Sequence, residues 1–365
     1  MIPAAHAVLD LAAAKHNLAL VRSYAPNAKT IAVIKANGYG HGMLRIAEAL
    51  ADADAFAVAR VDEGLRLRKA GIRKRIVVLE GFSYDDELDE FLAYQLDAVV
   101  HTGVQVDLLE KRQGLERLSV WLKLDSGMNR LGFKGHELDL AYQRLRLCPI
   151  VKQPMHWMTH LANADERQDD TTLKQIQCFN EAVSAYPGPR SIANSAGIIS
   201  WRQALTDWVR PGIMLYGVSP FADQSARSLA LKPVMSLRSR LIAVKPVAKG
   251  ERVGYAGSWR CEQSTLLGVA AIGYGDGYPR YAQSGTPVLL NGRRVPLIGR
   301  VSMDMITLDL QTQPDAKVGD PVVLWGEDLP VEEIARCANT IPYTLVCGVT
   351  QRVRMVCENQ PTSVD

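Results

Sequence analysis

The chain has 365 residues, 47% of them hydrophobic and 22% charged, with 42 Lys and Arg against 39 Asp and Glu for a net charge of +3. That composition excludes a disordered, collagen-like or coiled-coil chain, and the length suggests two domains. No basic stripe offers a nucleic-acid surface, and no apolar run reaches the ~18 residues of a membrane span.

The N-terminal stretch lacks a basic leader, and Lys15 and His16 interrupt its apolar residues, so no signal peptide is expected and the chain reads as a cytoplasmic enzyme. From Thr30 the chain alternates short β-branched runs with amphipathic helical stretches. The predicted strands are Thr30–Lys35, Ala55–Ala59, Arg75–Glu80, Leu96–His101, Ser119–Asp125, Met155–His160, Ser191–Asn194 and Trp208–Leu215. Helical patterns lie between them, as at Asp62–Lys69, with Gly71 at the expected C-terminal end. Such alternation predicts a parallel sheet with right-handed crossovers, and eight units match a (β/α)₈ barrel, with a doubly wound open sheet as the alternative.

After Leu231 the helical period fades and turn signals such as Asn291-Gly292 break up apolar runs. Strands are predicted at Met235–Pro246, Thr265–Ile272, Pro287–Leu290, Arg294–Ile298, Ile306–Leu310 and Pro321–Leu324, with one helix near Val331–Ala338. The expected organisation is a barrel over residues 1–231 and a mainly β domain over 232–365.

Six cysteines form no C-x-x-C pair and are expected to be thiols. His156 and His160 invite a zinc reading, but on a strand four residues span ~13 Å, too far for both rings to hold one ion. No metal site is expected. The most informative segment is Ile34-Lys35-Ala36-Asn37-Gly38-Tyr39-Gly40-His41-Gly42. A lysine at the C-terminal end of a barrel strand points into the face where barrels keep their active sites, and the glycines allow a sharp turn. A strand-end lysine reaching solvent is the plainer alternative.

That segment resembles the cofactor-lysine motif of alanine racemases. The similarity continues in order through Lys123-Leu-Asp125-Ser-Gly127-Met-Asn129-Arg130-Leu-Gly132, Thr159-His160-Leu-Ala-Asn163-Ala-Asp165, Ala193-Asn194-Ser195-Ala196, and Val209-Arg210-Pro211-Gly212-Ile213. It extends into Val253-Gly254-Tyr255-Ala256-Gly257, Gly273-Tyr274-Gly275-Asp276-Gly277-Tyr278-Pro279-Arg280 and Val301-Ser302-Met303-Asp304-Met305. The resemblance implies a barrel holding pyridoxal 5′-phosphate, followed by a β domain, and a homodimer with shared active sites that interconverts L- and D-alanine. The product would supply peptidoglycan, or the reaction would serve alanine catabolism.

It further implies that Lys35 holds the cofactor covalently and acts as base towards D-alanine, with Tyr255 of the neighbouring subunit as base towards L-alanine. A free phenol is a weak base at neutral pH, so the implied chain through His160 to Arg210 would have to help it. Arg210 would face the pyridine nitrogen and donate a hydrogen bond without giving up its proton. The phosphate would be held by Tyr39, Ser195, the backbone N–H groups of Gly212 and Ile213, and Tyr343. Arg130 and the backbone of Met303 would hold the substrate carboxylate, and Lys123 matches a lysine that is carbamylated in family members. The chain departs from the family pattern at Gly38 and Ala256, small for small, and at Thr344, where an acidic residue is usual.

Other readings predict different features. A non-catalytic pyridoxal-phosphate carrier would lack the β domain and Tyr255, and a decarboxylase of similar plan would carry another lysine motif. A broad-specificity or serine racemase differs mainly in substrate.

Overall fold

The computed structural model describes residues 3–358. Eight parallel strands close into a barrel: Lys29–Val33, Ala55–Val58, Arg75–Val78, Asp97–Val100, Val120–Lys123, His156–Met158, Arg190–Ser191 and Trp208–Val209. The first pairs with the second and, in parallel, with the last, which closes the ring. These strands are apolar on both faces because one side fills the barrel and the other packs under helices. Ala55–Val58 and Asp97–Val100 are buried at every position.

The predicted strands are all present, but several stop early: the first ends at Val33 rather than Lys35, the sixth at Met158, the seventh at Ser191 and, most of all, the eighth. It ends at Val209, and the chain passes through Pro211-Gly212 into a 3₁₀ turn, Ile213–Tyr216. The apolar residues Ile213, Met214 and Leu215 are buried as a strand's would be, so composition alone could not separate the two conformations.

The second unit is an eight-stranded sheet whose core strand is Met235–Val247. The predicted Asn291-Gly292 turn joins Pro287–Leu290 to Arg293–Ile298, with φ of 50° and 76° at the two turn residues, as a two-residue hairpin requires. Two of its strands come from the chain's ends. His6–Leu9 pairs antiparallel with Met235–Val247 and parallel with Arg354–Cys357. The helix Leu11–Tyr24 then leads from this sheet to the barrel.

Two short helices of the second unit, Val331–Cys337 and Pro342–Cys347, lie against the C-terminal mouth of the barrel. A Cβ built on Gly40 would sit 2.0 Å from the Val346 carbonyl oxygen, so the turn after Lys35 and the second helix are in backbone contact. Glu332, at the start of the first helix, accepts the Ser219 N–H at 2.8 Å. Among the described residues no helix is long and apolar enough to cross a membrane.

Candidate active site

A cavity of about 730 Å³ opens at the barrel mouth, within the ordinary range for small-ligand sites. Lys35, two residues past the first barrel strand, lines it. Burial lowers the proton affinity of Lys35, and Arg130 lowers it further, while Glu63 and Glu80 oppose the shift. The following turn is left-handed over five residues. Ala36, Asn37 and Tyr39 have φ of 51°, 54° and 49°, and Gly38 and Gly40 have 65° and 82°. For residues with a Cβ this conformation costs about 1–2 kcal/mol each, so the expected glycine-rich turn is also a strained one.

The turn carries Tyr39 into the interior. Its ring stacks on Tyr216 with centroids 4.7 Å apart and meets Tyr343 at 6.1 Å. Tyr216 in turn donates its hydroxyl to the Val33 carbonyl at 3.0 Å. Burial pushes the Tyr39 and Tyr343 phenols up, so both remain O–H donors at neutral pH. Ser195 begins the short helix Ser195–Ser200, and its Oγ accepts the N–H groups of Gly212 at 2.9 Å and Met214 at 3.4 Å. A Cβ on Gly212 would meet the Tyr39 hydroxyl at 2.6 Å. Tyr39, Ser195, Gly212, Ile213 and Tyr343 thus form one polar corner of the cavity.

Arg210 follows the last barrel strand and is buried. It donates to Ser191 Oγ and to the carbonyls of Thr159 and Ile192, and is not paired with Asp207, which accepts the Arg190 N–H. Burial pulls its guanidinium down to about 10, still a cation at neutral pH. His160 faces the same cavity, where burial and the charges of Arg210, Lys123, Arg130 and Lys35 hold it neutral. His156 points elsewhere: its ring stacks on Trp121 and its Nε2 meets Arg75. No cluster of three His, Cys, Asp or Glu suited to a metal occurs among the described residues.

Arg130 is delivered by a loop that Asp125 organises, with one carboxylate oxygen accepting the N–H groups of Gly127 and Asn129 at 3.0 Å each. Lys123 is buried near Arg130 and Arg210, and burial together with these cations brings it down to about 8. Tyr255 and Met303 are the predicted residues that do not join the cavity of their own chain. They are 62% and 52% exposed on the second unit.

Sequence reasoning passed over Glu80, Cys347 and Glu63. Glu80 lies two residues past the third barrel strand, as Lys35 does past the first. Cys347 is four residues after Tyr343, so both meet the same face of one helix. Glu63 looked like an ordinary acid in a helix's first turn.

Residues 9–220 match the alanine racemase N-terminal domain and residues 234–357 the alanine racemase C-terminal domain. An alanine racemase of Nitrosococcus oceani is 53% identical over 347 residues, covering 95% of this chain and 97% of that protein. One from Vibrio vulnificus is 49% identical, covering 96% and 98%. The crystal structure of the biosynthetic alanine racemase from Pseudomonas aeruginosa superposes with a TM-score of 0.95 at 44% identity, covering 98% of this chain and all of that one. With both domains matched and the cavity built from the motif residues, this chain belongs to the alanine racemase family.

Proposed function

We propose that the protein interconverts L- and D-alanine with pyridoxal 5′-phosphate bound to Lys35. The observation that carries this reading is a single cavity with a half-buried lysine amine, a cluster of neutral hydroxyl donors on one side, and Arg130 on another. That donor set fits the cofactor. The Tyr39 and Tyr343 hydroxyls, the Ser195 hydroxyl and the Ile213 N–H suit a phosphate dianion, the Gly212 N–H orients that serine oxygen, and Gly212 lacks the Cβ that would fill the cradle.

When bound, pyridoxal phosphate supplies the electron sink that acidifies the Cα hydrogen of an amino acid. Arg130 would anchor the substrate carboxylate, which fixes Cα with one face towards Lys35 Nζ. The lowered proton affinity of that amine leaves more of it uncharged, and so free to accept a proton, at neutral pH. Arg210 would donate a hydrogen bond to the cofactor's ring nitrogen and keep its own proton, which leaves that nitrogen uncharged and discourages side reactions. His160, held neutral, would link Arg210 to the opposite face.

The opposite base is Tyr255 of the partner subunit. The exposure of Tyr255 and Met303, and their distance in sequence from the cavity residues, supports a two-fold dimer in which each second unit completes the other chain's site. Lys123 supports a further reading. Its neutral fraction can attack carbon dioxide, forming an N–C bond and releasing a proton to solvent, which sets a carbamate anion beside Arg130.

A panel of L-amino acids incubated with the cofactor-loaded enzyme tests the proposal. D-alanine is expected as the dominant product. No racemisation would overturn the activity, and a preference for serine would overturn the substrate.

A further inference from the structure

Within the left-handed turn the hydrogen bonds run inward: Gly38 N–H to the Ile34 carbonyl and Gly40 N–H to the Ala36 carbonyl. The Ala36 N–H, on the peptide that follows Lys35, goes outside the turn to Glu63 Oε1 at 2.7 Å. The other oxygen of Glu63 accepts the Ala59 N–H at 2.8 Å and the Arg60 N–H at 3.4 Å. An acid at this position of a helix ordinarily reaches back to the residue that caps it, here Arg60. That bond is the longest of the three. The two short ones tie the ends of the first and second barrel strands together through one carboxylate that is only 7% exposed.

Held one residue from Lys35 by the Ala36 N–H, the same carboxylate acts on the amine's charge and favours its protonated form. Around Lys35 stand the cations Arg130 and Lys123, the acids Glu63 and Glu80, the Cys347 thiol and neutral His160. Glu80 is exposed at its strand end, where water and salt screen it, whereas Glu63 is buried and screened little.

We propose that Glu63 is the positioning residue of Lys35: it clamps the strained turn by the Ala36 N–H and presents a buried counter-charge to the amine. This rests on Lys35 being the cofactor-bearing lysine. Glu63→Gln removes the charge and, because its NH2 cannot accept, one of the two short bonds as well, while Glu63→Asp keeps the charge and both acceptor oxygens but withdraws them by one methylene.

Full chains freed of cofactor are labelled by reductive methylation with formaldehyde across pH, and Lys35 is quantified in its peptide. In Glu63→Gln the Lys35 midpoint falls by about one pH unit, so labelling below it is about tenfold faster. A general loosening would relieve the burial that lowers Lys35 and so raise its midpoint, the opposite direction. In Glu63→Asp the midpoint stays, but reloaded pyridoxal phosphate dissociates about fivefold faster, as expected for a weakened hydrogen bond. An unchanged Lys35 midpoint in the Gln variant overturns the counter-charge, and unchanged cofactor release in the Asp variant overturns the clamp. If Glu63→Gln does not fold, the Asp variant alone decides the clamp. Cofactor still covalently attached to a Lys35→Ala chain would instead sink the reading of Lys35, separately from either result.

Discussion

Replacing Gly212 with Ala puts a methyl group against the proposed phosphate corner. Its carbon would stand 2.6 Å from the Tyr39 hydroxyl oxygen and 3.2 Å from the ring carbon behind it. Ordinary contact begins near 3.4 Å, so the hydroxyl must retreat by roughly 0.8 Å. The ring has little room to do so, being stacked on Tyr216 and packed against Tyr343. Overpacking of this kind costs about 1–3 kcal/mol, and a hydrogen bond to a charged group is worth about 1.5–3 kcal/mol. Gly212→Ala should therefore weaken pyridoxal phosphate binding by about 10- to 100-fold, measured by equilibrium fluorescence titration. Combining it with Tyr39→Phe removes the atom that the methyl group strikes. The double variant should lose less than the sum of the single losses by about 1 kcal/mol. Wild-type affinity in Gly212→Ala, or strict additivity in the double variant, would refute the cradle.

Tyr255→Phe should suppress exchange of the Cα hydrogen with deuterated solvent far more for L-alanine than for D-alanine; equal losses would remove Tyr255 from its assigned face. If Lys123 carries a carbamate, exhaustive removal of carbon dioxide should raise KM for alanine and bicarbonate should restore it, whereas indifference to both would leave Lys123 a plain amine. Burial holds His41 down to about 4 and His160 well below its ordinary value, and burial with Arg75 holds His156 down to about 4. The unfolded chain takes up those protons from about pH 6.5 downward while the folded one does not, so their stabilising share is complete above that pH and lost towards pH 4. The urea midpoint should fall between pH 7 and pH 5 with proton uptake on unfolding, and a flat midpoint would contradict the buried neutral histidines.

The barrel could be read because most of its strands are short runs dominated by β-branched and small apolar residues, as in the Ile-Val-Val of Arg75–Val78 and the Ala-Val-Val of Asp97–Val100. The strand His6–Leu9 escaped because its partners lie more than two hundred residues away and it carries little pattern of its own. The end of the eighth strand was misread for a local reason. Pro211 and Gly212 end the ladder, yet the buried residues after them look just like a strand. The site residues were legible as motifs, since Lys35, Arg130 and Ser195 each sit beside turn chemistry that can be recognised in one dimension. Glu63 was not, because its two short bonds join backbone groups of different strands, and nothing in its own neighbourhood announces them.

In the proposed dimer each site takes Lys35 from one chain and Tyr255 from the other. A Lys35→Ala chain and a Tyr255→Phe chain are dissociated, mixed in equal amounts and reassociated. Random pairing makes roughly half of the dimers mixed, and each mixed dimer has one site with both bases intact. Alanine racemisation should return to roughly a quarter of the wild-type level. If mixing restores nothing beyond the two parents, both bases come from the same chain and the shared site is wrong.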